Sequence, residues 1–168
     1  ERQIDLSKPW ERITVKEAFE RYGSVPLEEA LDQNRFDEVL ALEIEPRLGI
    51  VRPAVLYDYP LACGSLARKK PEDQALAERF EIYIGGLELA NGFSELTDPE
   101  EQRRRFEKEN EVRSKRGQPP WPMPEKFLEA ILRMPESAGI ALGVDRMVML
   151  FTDAASIDEV VAFTPEEL

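Results

Sequence analysis

Two adjacent glycines, Gly85 and Gly86, constrain the fold of this chain more than any other feature. They interrupt the stretch FEIYIGGLELANGFSEL, residues 80–96, in which apolar and polar side chains alternate on both sides. Such alternation is typical of β-strands, and a two-residue hairpin turn needs positive φ, which glycine adopts without steric cost. The sequence therefore predicts a β-hairpin that turns at the two glycines.

The turn also predicts the register of the hairpin, because paired residues share one face of a sheet. Counting outward gives four pairs: Ile84 with Leu87, Tyr83 with Glu88, Ile82 with Leu89, and Glu81 with Ala90. One face is then apolar, and the other carries Glu81, Tyr83, Glu88 and Ala90. Strict alternation would send Asn91 to the apolar face, so we expect a β-bulge at Asn91 and Gly92. That bulge would also turn Glu95 towards the polar face.

The carboxylates of Glu81 and Glu88 are candidates for a metal site. Diagonal neighbours in such a ladder lie roughly 7–8 Å apart, so both side chains can reach one ion between them. Magnesium prefers oxygen ligands and is usually held by one or two carboxylates together with substrate phosphates. The alternative is that this face of the hairpin simply meets water. Glu95 is likewise either a receptor for a substrate ammonium group or an ordinary surface residue.

A second candidate is Arg146 in the stretch GIALGVDR, which predicts a short strand leading into a helix. The glycines just before it allow a ligand to approach the backbone closely. An arginine can stack on a purine and also bind phosphate oxygens, which suits ATP. The alternative is a simple pair between Asp145 and Arg146 at the end of a helix.

Composition excludes several other kinds of chemistry. The 168 residues, about the length of one domain, contain no histidine, so histidine-dependent nucleophiles and metal sites are excluded. A single cysteine, Cys63, excludes an internal disulfide. A net charge of −12 disfavours non-specific nucleic-acid binding. With neither a signal peptide nor an apolar run of about eighteen residues, we expect a cytoplasmic protein that does not bind membranes.

The rest of the sequence predicts helices mixed with strands, without regular alternation of the two. A capping box at Thr14 and Glu17 predicts a helix that ends at Gly23. A second capping box, at Ser156 and Glu159, predicts the start of a final helix before VVAF. Helices are also predicted over 26–31, 36–46, 99–116 and from Pro124, strands over 53–59 and 139–144, a surface loop over 64–75 and an extended connector over 118–124. The predicted fold class is α+β, an antiparallel sheet flanked by helices.

Taken together, FEIYIGGLELANGFSEL and GIALGVDRMVMLF resemble the C-terminal half of a class II aminoacyl-tRNA synthetase catalytic domain of lysyl type. The second stretch is similar to motif 3 of that family, and the first to its amino-acid and metal-binding hairpin. Three features look most like the stand-alone paralogues that attach lysine or β-lysine to elongation factor P: Ala141 in place of a glycine, the short segment before the hairpin, and the ending VVAFTPEEL.

The resemblance implies a role for each candidate residue. Glu81 and Glu88 would hold magnesium on ATP, and Arg146 would bind the nucleotide as the catalytic arginine. Leu89 and Gly143 would line the ATP site with their backbones. Asn91 would contact the head group of the amino acid, Glu95 its side-chain ammonium, and Ala141 the floor of its pocket.

The same resemblance implies an ATP-dependent ligase that activates lysine or a lysine-like acid as its adenylate and passes it to a lysine of elongation factor P. Motifs 1 and 2 of the family have no counterpart here, so we expect the 168 residues to be the C-terminal part of a catalytic domain, inactive alone and homodimeric in the full-length form. The alternative acceptor is tRNA-Lys, which would make the protein a lysyl-tRNA synthetase. A non-catalytic synthetase-like binding module and a plain acidic interaction domain are the non-enzymatic alternatives.

Overall fold

The computed structural model describes residues 3–7 and 9–164, so Glu1 and the last four residues of VVAFTPEEL lie outside the described part. Within these residues, six strands form one sheet: β1 Glu11–Thr14, β2 Ala54–Pro60, β3 Lys69–Lys70, β4 Asp73–Ile84, β5 Leu87–Ser94 and β6 Ala138–Leu142. The strand order is β1-β2-β4-β5-β6, with β3 paired beside β4. All neighbours are antiparallel except β1 and β2, which are parallel.

In the described part of the chain, six α-helices accompany the sheet: α1 Val15–Tyr22, α2 Leu27–Asp32, α3 Phe36–Val39, α4 Pro99–Lys115, α5 Glu125–Ile131 and α6 Val144–Thr152. The predicted α+β class is confirmed. The predicted helices and strands are present to within a few residues, except for the helix over 36–46 and the last predicted helix, which differ as described below. The connector over 118–124 is extended as predicted. Among the described residues, no helix combines the length and the apolar character needed to cross a bilayer.

Helix α1 begins at the predicted capping box. The Thr14 hydroxyl accepts a hydrogen bond from the Glu17 amide at 3.1 Å, and the Glu17 carboxylate accepts one from the Thr14 amide at 2.8 Å. Its buried side includes Phe19, whose ring stacks on Phe36 with centroids 5.3 Å apart. The second predicted box, at Ser156 and Glu159, is also formed, but it opens only a short 3₁₀ turn.

The helix predicted over 36–46 is irregular. After α3 the backbone widens into a π-helical segment, Leu40–Ile44, and then tightens into a 3₁₀ turn, Glu45–Arg47. Pro46 has no amide hydrogen to continue an α-helical ladder, which accounts for the change in the last turn. The irregularity keeps Leu40 and Ile44 in the core and brings Glu45 close to the sheet.

The prediction of a loop over 64–75 is wrong in part. That segment contains β3 and the first residues of β4, which continues the hairpin strand as far back as Asp73. The start of β4 is polar and exposed, so it lacks the alternating apolar side chains by which a strand is recognised from sequence. The preceding turn is fastened to α4, since Arg105 donates to the carbonyl oxygens of Ser65 and Ala67 at 2.7 and 2.8 Å.

The main core lies between one face of the sheet and the helices α1 to α3. Ile13, Leu56 and Tyr83 come from three strands of this face and are at most 1% exposed. The segment after Arg47 packs across the end of the hairpin, where the amides of Gly85 and Gly86 donate to the carbonyl oxygens of Gly49 and Leu48 at 2.8 and 2.9 Å. The hairpin turn is therefore fixed to the core.

Candidate functional site

The hairpin turns where the sequence predicts. Gly85 and Gly86 have φ values of 65° and 82°, and the first two predicted pairs, Ile84 with Leu87 and Tyr83 with Glu88, are present. The next pairs differ, because Ile82 pairs with Ala90 and Glu81 pairs with Asn91. The predicted pairs Ile82 with Leu89 and Glu81 with Ala90 are therefore wrong, and Leu89 is the extra residue of a β-bulge.

The bulge lies two residues before the predicted position at Asn91 and Gly92. It places Asn91 directly opposite Glu81, on the same face of the sheet, and moves Ala90 to the other face with Ile82. Gly92 is not part of the bulge. It leaves room for the ring of Phe80, because a Cβ at position 92 would lie 2.7 Å from that ring. The need to re-aim Asn91 was predicted correctly, but the position of the bulge was not.

Glu81 is the centre of a buried polar cluster and is 4% exposed. Its Oε2 accepts hydrogen bonds from the hydroxyls of Tyr59 and Tyr83 at 2.5 and 2.6 Å. Its Oε1 accepts from Arg79 Nη2 at 2.5 Å and from Asn91 Nδ2 at 2.8 Å. Glu81 thus faces a polar network within the core side of the sheet.

Three members of this cluster, Tyr59, Arg79 and Glu45, were not identified from the sequence. Arg79 also donates to the carbonyl oxygen of Cys63 at 2.7 Å and lies over the ring of Tyr59 at 4.4 Å. Its position two residues before Glu81 on one strand is a usable signal, since such residues share a face. Glu45 accepts from the Tyr83 hydroxyl at 3.2 Å, and no local pattern indicates that contact.

The ionisation of the cluster follows from its burial. Burial raises the pKa of the Tyr59 and Tyr83 hydroxyls, and the nearby Glu81 carboxylate raises both further, so both phenols remain donors at neutral pH. Burial also raises the pKa of the Glu45 carboxyl. The hydrogen bond from Tyr83 lowers this pKa, whereas the charges of Glu81 and Glu88 raise it.

Arg146 lies beside the second carboxylate of the hairpin. Its Nη1 donates to the backbone oxygen of Glu88 at 2.8 Å and to Glu88 Oε2 at 3.1 Å. The side chains are 46% and 30% exposed, so this pair faces the outside of the protein. Among the described residues no ion pair joins Asp145 to Arg146, so the simpler alternative for this arginine is not what the structure shows.

Leu89 and Gly143 connect the pair to the start of α6. The Gly143 amide donates to the Leu89 carbonyl oxygen at 2.8 Å, and Gly143 is the residue that precedes the first turn of the helix. Arg146 follows one turn later, with its Cδ 3.5 Å from where a Gly143 Cβ would stand. Glu88, Leu89, Gly143 and Arg146, predicted as the nucleotide-binding residues, therefore form one contiguous patch.

The predicted amino-acid residues lie on the same face of the sheet as Glu81. Ala141 is the β6 partner of Asn91, and it is exposed. The carboxylate of Glu95 lies over Gly139, where Oε1 would be 3.0 Å from an added Cβ. Within the described ranges, the Glu95 carboxylate has no ion pair or side-chain hydrogen bond. Asn91, Glu95 and Ala141 thus border one open part of the sheet.

Comparison with known proteins identifies the family of the chain. The family model for tRNA synthetases class II (D, K and N) matches residues 1–167. The chain belongs to this synthetase family. The family match agrees with the mixed sheet and helices described above.

Several relatives of this class II chain carry the same name, elongation factor P–(R)-β-lysine ligase. The protein from Klebsiella pneumoniae (strain 342) is 40% identical over 187 residues, covering 96% of this chain and 57% of the relative. The one from Pectobacterium carotovorum is 41% identical over 159 residues, covering 93% and 49%. The one from Erwinia tasmaniensis is 49% identical over 127 residues, covering 75% and 39%. The synthetase chain spans about half the length of these relatives.

The class II resemblance implies magnesium, and the two hairpin acids differ in how well they fit it. Glu88 is partly exposed and shares only one oxygen with Arg146, so it can offer a ligand. Glu81 is buried, and a carboxylate has about four acceptor sites, all of which its four donors fill. Within residues 3–7 and 9–164, no three acidic or cysteine side chains converge as a metal site by themselves. Metal binding by the Glu81 and Glu88 pair stays a prediction.

Proposed function

We propose that the full-length protein is an ATP-dependent ligase that activates lysine or a lysine-like acid as its aminoacyl-adenylate. It then transfers the acyl group to a lysine of elongation factor P. The family match and the names of the relatives support this reaction class. The observation that carries the proposal is the contiguous patch of Glu88, Leu89, Gly143 and Arg146 beside an open amino-acid face.

The nucleotide would bind at that patch. Arg146 presents a planar guanidinium that can stack on a purine and donate to phosphate oxygens, and its contact with Glu88 holds it there before ATP arrives. Adenylate formation needs the carboxylate of the acid and the α-phosphate held in line, so positioning and charge stabilisation carry most of the catalysis. A chain without histidine can supply both.

The amino acid would lie across β5 and β6. Asn91 would meet its head group with the amide atoms not used by Glu81, and Ala141 would form the floor of the pocket. Glu95 is an acid without an ion pair in the described part of the chain, which suits a side-chain ammonium. The face therefore favours a cationic acid such as lysine or β-lysine.

Magnesium bound with ATP would neutralise phosphate charge. Glu88 is the carboxylate that fits it here, as one ligand alongside the phosphates and water. The residues of the chain act by binding and orientation: Arg146 holds the nucleotide, and Asn91 and Glu95 hold the acid.

We further propose that these 168 residues are the C-terminal part of the catalytic domain, with motifs 1 and 2 upstream and a homodimer in the full-length form. The chain covers only 39–57% of its relatives, which supports this division. With ATP and a translation factor as its proposed substrates, the enzyme would act in the cytoplasm.

Two assays on the full-length protein test the proposal. Exchange of labelled pyrophosphate into ATP should depend on lysine or β-lysine, because adenylate formation is reversible. Acceptor assays with elongation factor P and with tRNA-Lys then separate the acceptors, and label should appear on the factor. Label on the tRNA alone would make the protein a lysyl-tRNA synthetase. Failure to exchange with either acid would leave a non-catalytic binding module.

A further inference from the structure

The hydrogen bonds of Glu81 separate it from Glu88, although the two acids lie on the same face of the hairpin. Both oxygens of Glu81 are occupied by two donors each, at 2.5 to 2.8 Å. Glu88 has one side-chain partner, Arg146, and is partly exposed. A cation that bound Glu81 directly would have to displace buried donors, and a buried donor left unpaired costs about 1–3 kcal/mol.

The donors on Oε1 are the ones closest to the proposed amino-acid face. Because Asn91 Nδ2 donates to Glu81, its amide oxygen is turned towards Arg79, whose Nε lies 3.4 Å away. Arg79 is fixed in turn by Glu81, by the Cys63 carbonyl oxygen and by the Tyr59 ring. The orientation of the Asn91 amide, and so which of its atoms face a ligand, depends on the Glu81 carboxylate.

The donors on Oε2 hold the carboxylate itself. Tyr59 and Tyr83 are both 0% exposed, and they approach Oε2 from β2 and β4. The Tyr83 hydroxyl also contacts Glu45 at 3.2 Å, which connects the cluster to the irregular helix. The carboxylate therefore has one fixed position between two buried rings.

We propose that Glu81 is a positioning residue, which orients Asn91 and Arg79 for the amino acid and does not itself bind the magnesium of ATP. This inference rests on the proposed function. It assigns the two acids of the hairpin to different parts of the reaction: Glu88 to the nucleotide and its metal, and Glu81 to the geometry of the amino-acid pocket.

The test compares Glu81→Gln with Glu88→Gln in the full-length protein by two measurements. The first is the KM for the amino acid in pyrophosphate exchange at saturating ATP. The second is binding of Mn²⁺ in the presence of a non-hydrolysable ATP analogue, followed by the electron paramagnetic resonance signal of free Mn²⁺. Glu81→Gln should raise the KM by about tenfold or more and leave Mn²⁺ affinity within about twofold of wild type. Glu88→Gln should weaken Mn²⁺ binding by about tenfold.

A second variant covers the case in which Glu81→Gln does not fold. Tyr83→Phe keeps the buried ring and removes one donor from Oε2, so the KM should rise by roughly two- to fivefold with Mn²⁺ affinity unchanged. If Glu81 were a direct ligand, loss of a competing donor would instead tighten Mn²⁺ binding. Tighter binding in Tyr83→Phe, or weakened binding in Glu81→Gln equal to that in Glu88→Gln, overturns the inference. Absence of exchange in the wild type counts against the proposed function itself.

Discussion

One nitrogen of Arg146 contacts Glu88 twice, at 2.8 Å from the backbone oxygen and 3.1 Å from the carboxylate. The two residues are 58 positions apart in sequence and meet because the start of α6 is hydrogen-bonded to β5 through Gly143. The cation and the anion are thus held in place by backbone contacts as well as by their charges. These contacts connect the start of α6 to the hairpin.

Arg146→Lys should separate the contribution of the guanidinium plane from that of its charge. Lysine keeps the charge but cannot stack or donate through a planar fork, so kcat/KM for ATP in pyrophosphate exchange should fall by about 10- to 100-fold. Arg116→Lys, on an exposed residue at the end of α4, is the matched control and should leave the rate unchanged. Activity close to wild type in Arg146→Lys would mean that charge alone is sufficient.

Gly49→Ala should disrupt the support of the hairpin. Gly49 has φ of 69°, and an added Cβ would lie 2.3 Å from the Tyr83 carbonyl oxygen, so the free energy of unfolding should fall by more than about 3 kcal/mol. Gly117→Ala is the control, because Gly117 has a similar φ of 71° with nothing within 4 Å, and it should cost only about 1 kcal/mol. Urea unfolding measures both. Equal losses would show that the close contact has no energetic effect.

The Glu101 carboxylate should make stability depend on pH. Burial raises its pKa, but hydrogen bonds from Arg104, Arg105 and Lys69 outweigh burial and lower the pKa from 4.5 to about 2. A lowered pKa stabilises the fold above the unfolded value and loses that effect as pH falls from about 4.5 towards 2. After allowance for solvent screening, Glu101→Gln should cost about 1–2 kcal/mol at pH 7.

That cost should shrink below pH 4.5, where the Glu101 carboxylate of the unfolded chain takes up a proton, and it should be lost near pH 2, where the folded carboxylate does so as well. Glu100→Gln, an exposed acid in the same first turn of α4, is the control and should change little at either pH. Thermal unfolding across pH 2.5 to 7 makes the comparison. A loss in Glu101→Gln that did not vary with pH would point to packing as its cause.

Glu45→Gln should change stability in the opposite direction to Glu101→Gln and stabilise the protein at neutral pH. Burial and the neighbouring acids raise the pKa of Glu45, so its charged form opposes folding at neutral pH, and its contribution improves as pH falls. The amide keeps a partner for the Tyr83 hydroxyl without the charge. The variant should unfold at a higher temperature than wild type at pH 7, and the difference should narrow in acid. A lower unfolding temperature at pH 7 would contradict this view of Glu45.

Features decided by neighbouring residues were predictable from the sequence. The capping box of Thr14 and Glu17 and the turn at Gly85 and Gly86 depend on local backbone geometry, and both are present. The bulge is different. The polarity of Asn91 indicated that the strand must be re-aimed, but the extra residue is Leu89, which is buried together with Ala90 against the rest of the fold. Packing at a distance decides such a position.

The candidate site likewise contains residues that local motifs reveal and residues that only long-range contacts bring in. Glu88, Gly143 and Arg146 were identified through motifs that are continuous in sequence, and the structure brings them together. Glu45 reaches Tyr83 only because of the irregular helix, and Arg79 is recognisable as a partner of Glu81 only when Tyr59 and Cys63 are placed around it. Long-range contacts of this kind cannot be predicted from a local sequence pattern.

The most direct test of the account is amino-acid-dependent pyrophosphate exchange by the full-length protein with Glu88→Gln. Glu109→Gln, on the exposed side of α4, is the matched control. We predict lysine- or β-lysine-dependent exchange in the wild type and the control, and loss of at least about 100-fold in Glu88→Gln with an unchanged circular dichroism spectrum. Near-normal exchange in Glu88→Gln would contradict the proposed nucleotide site.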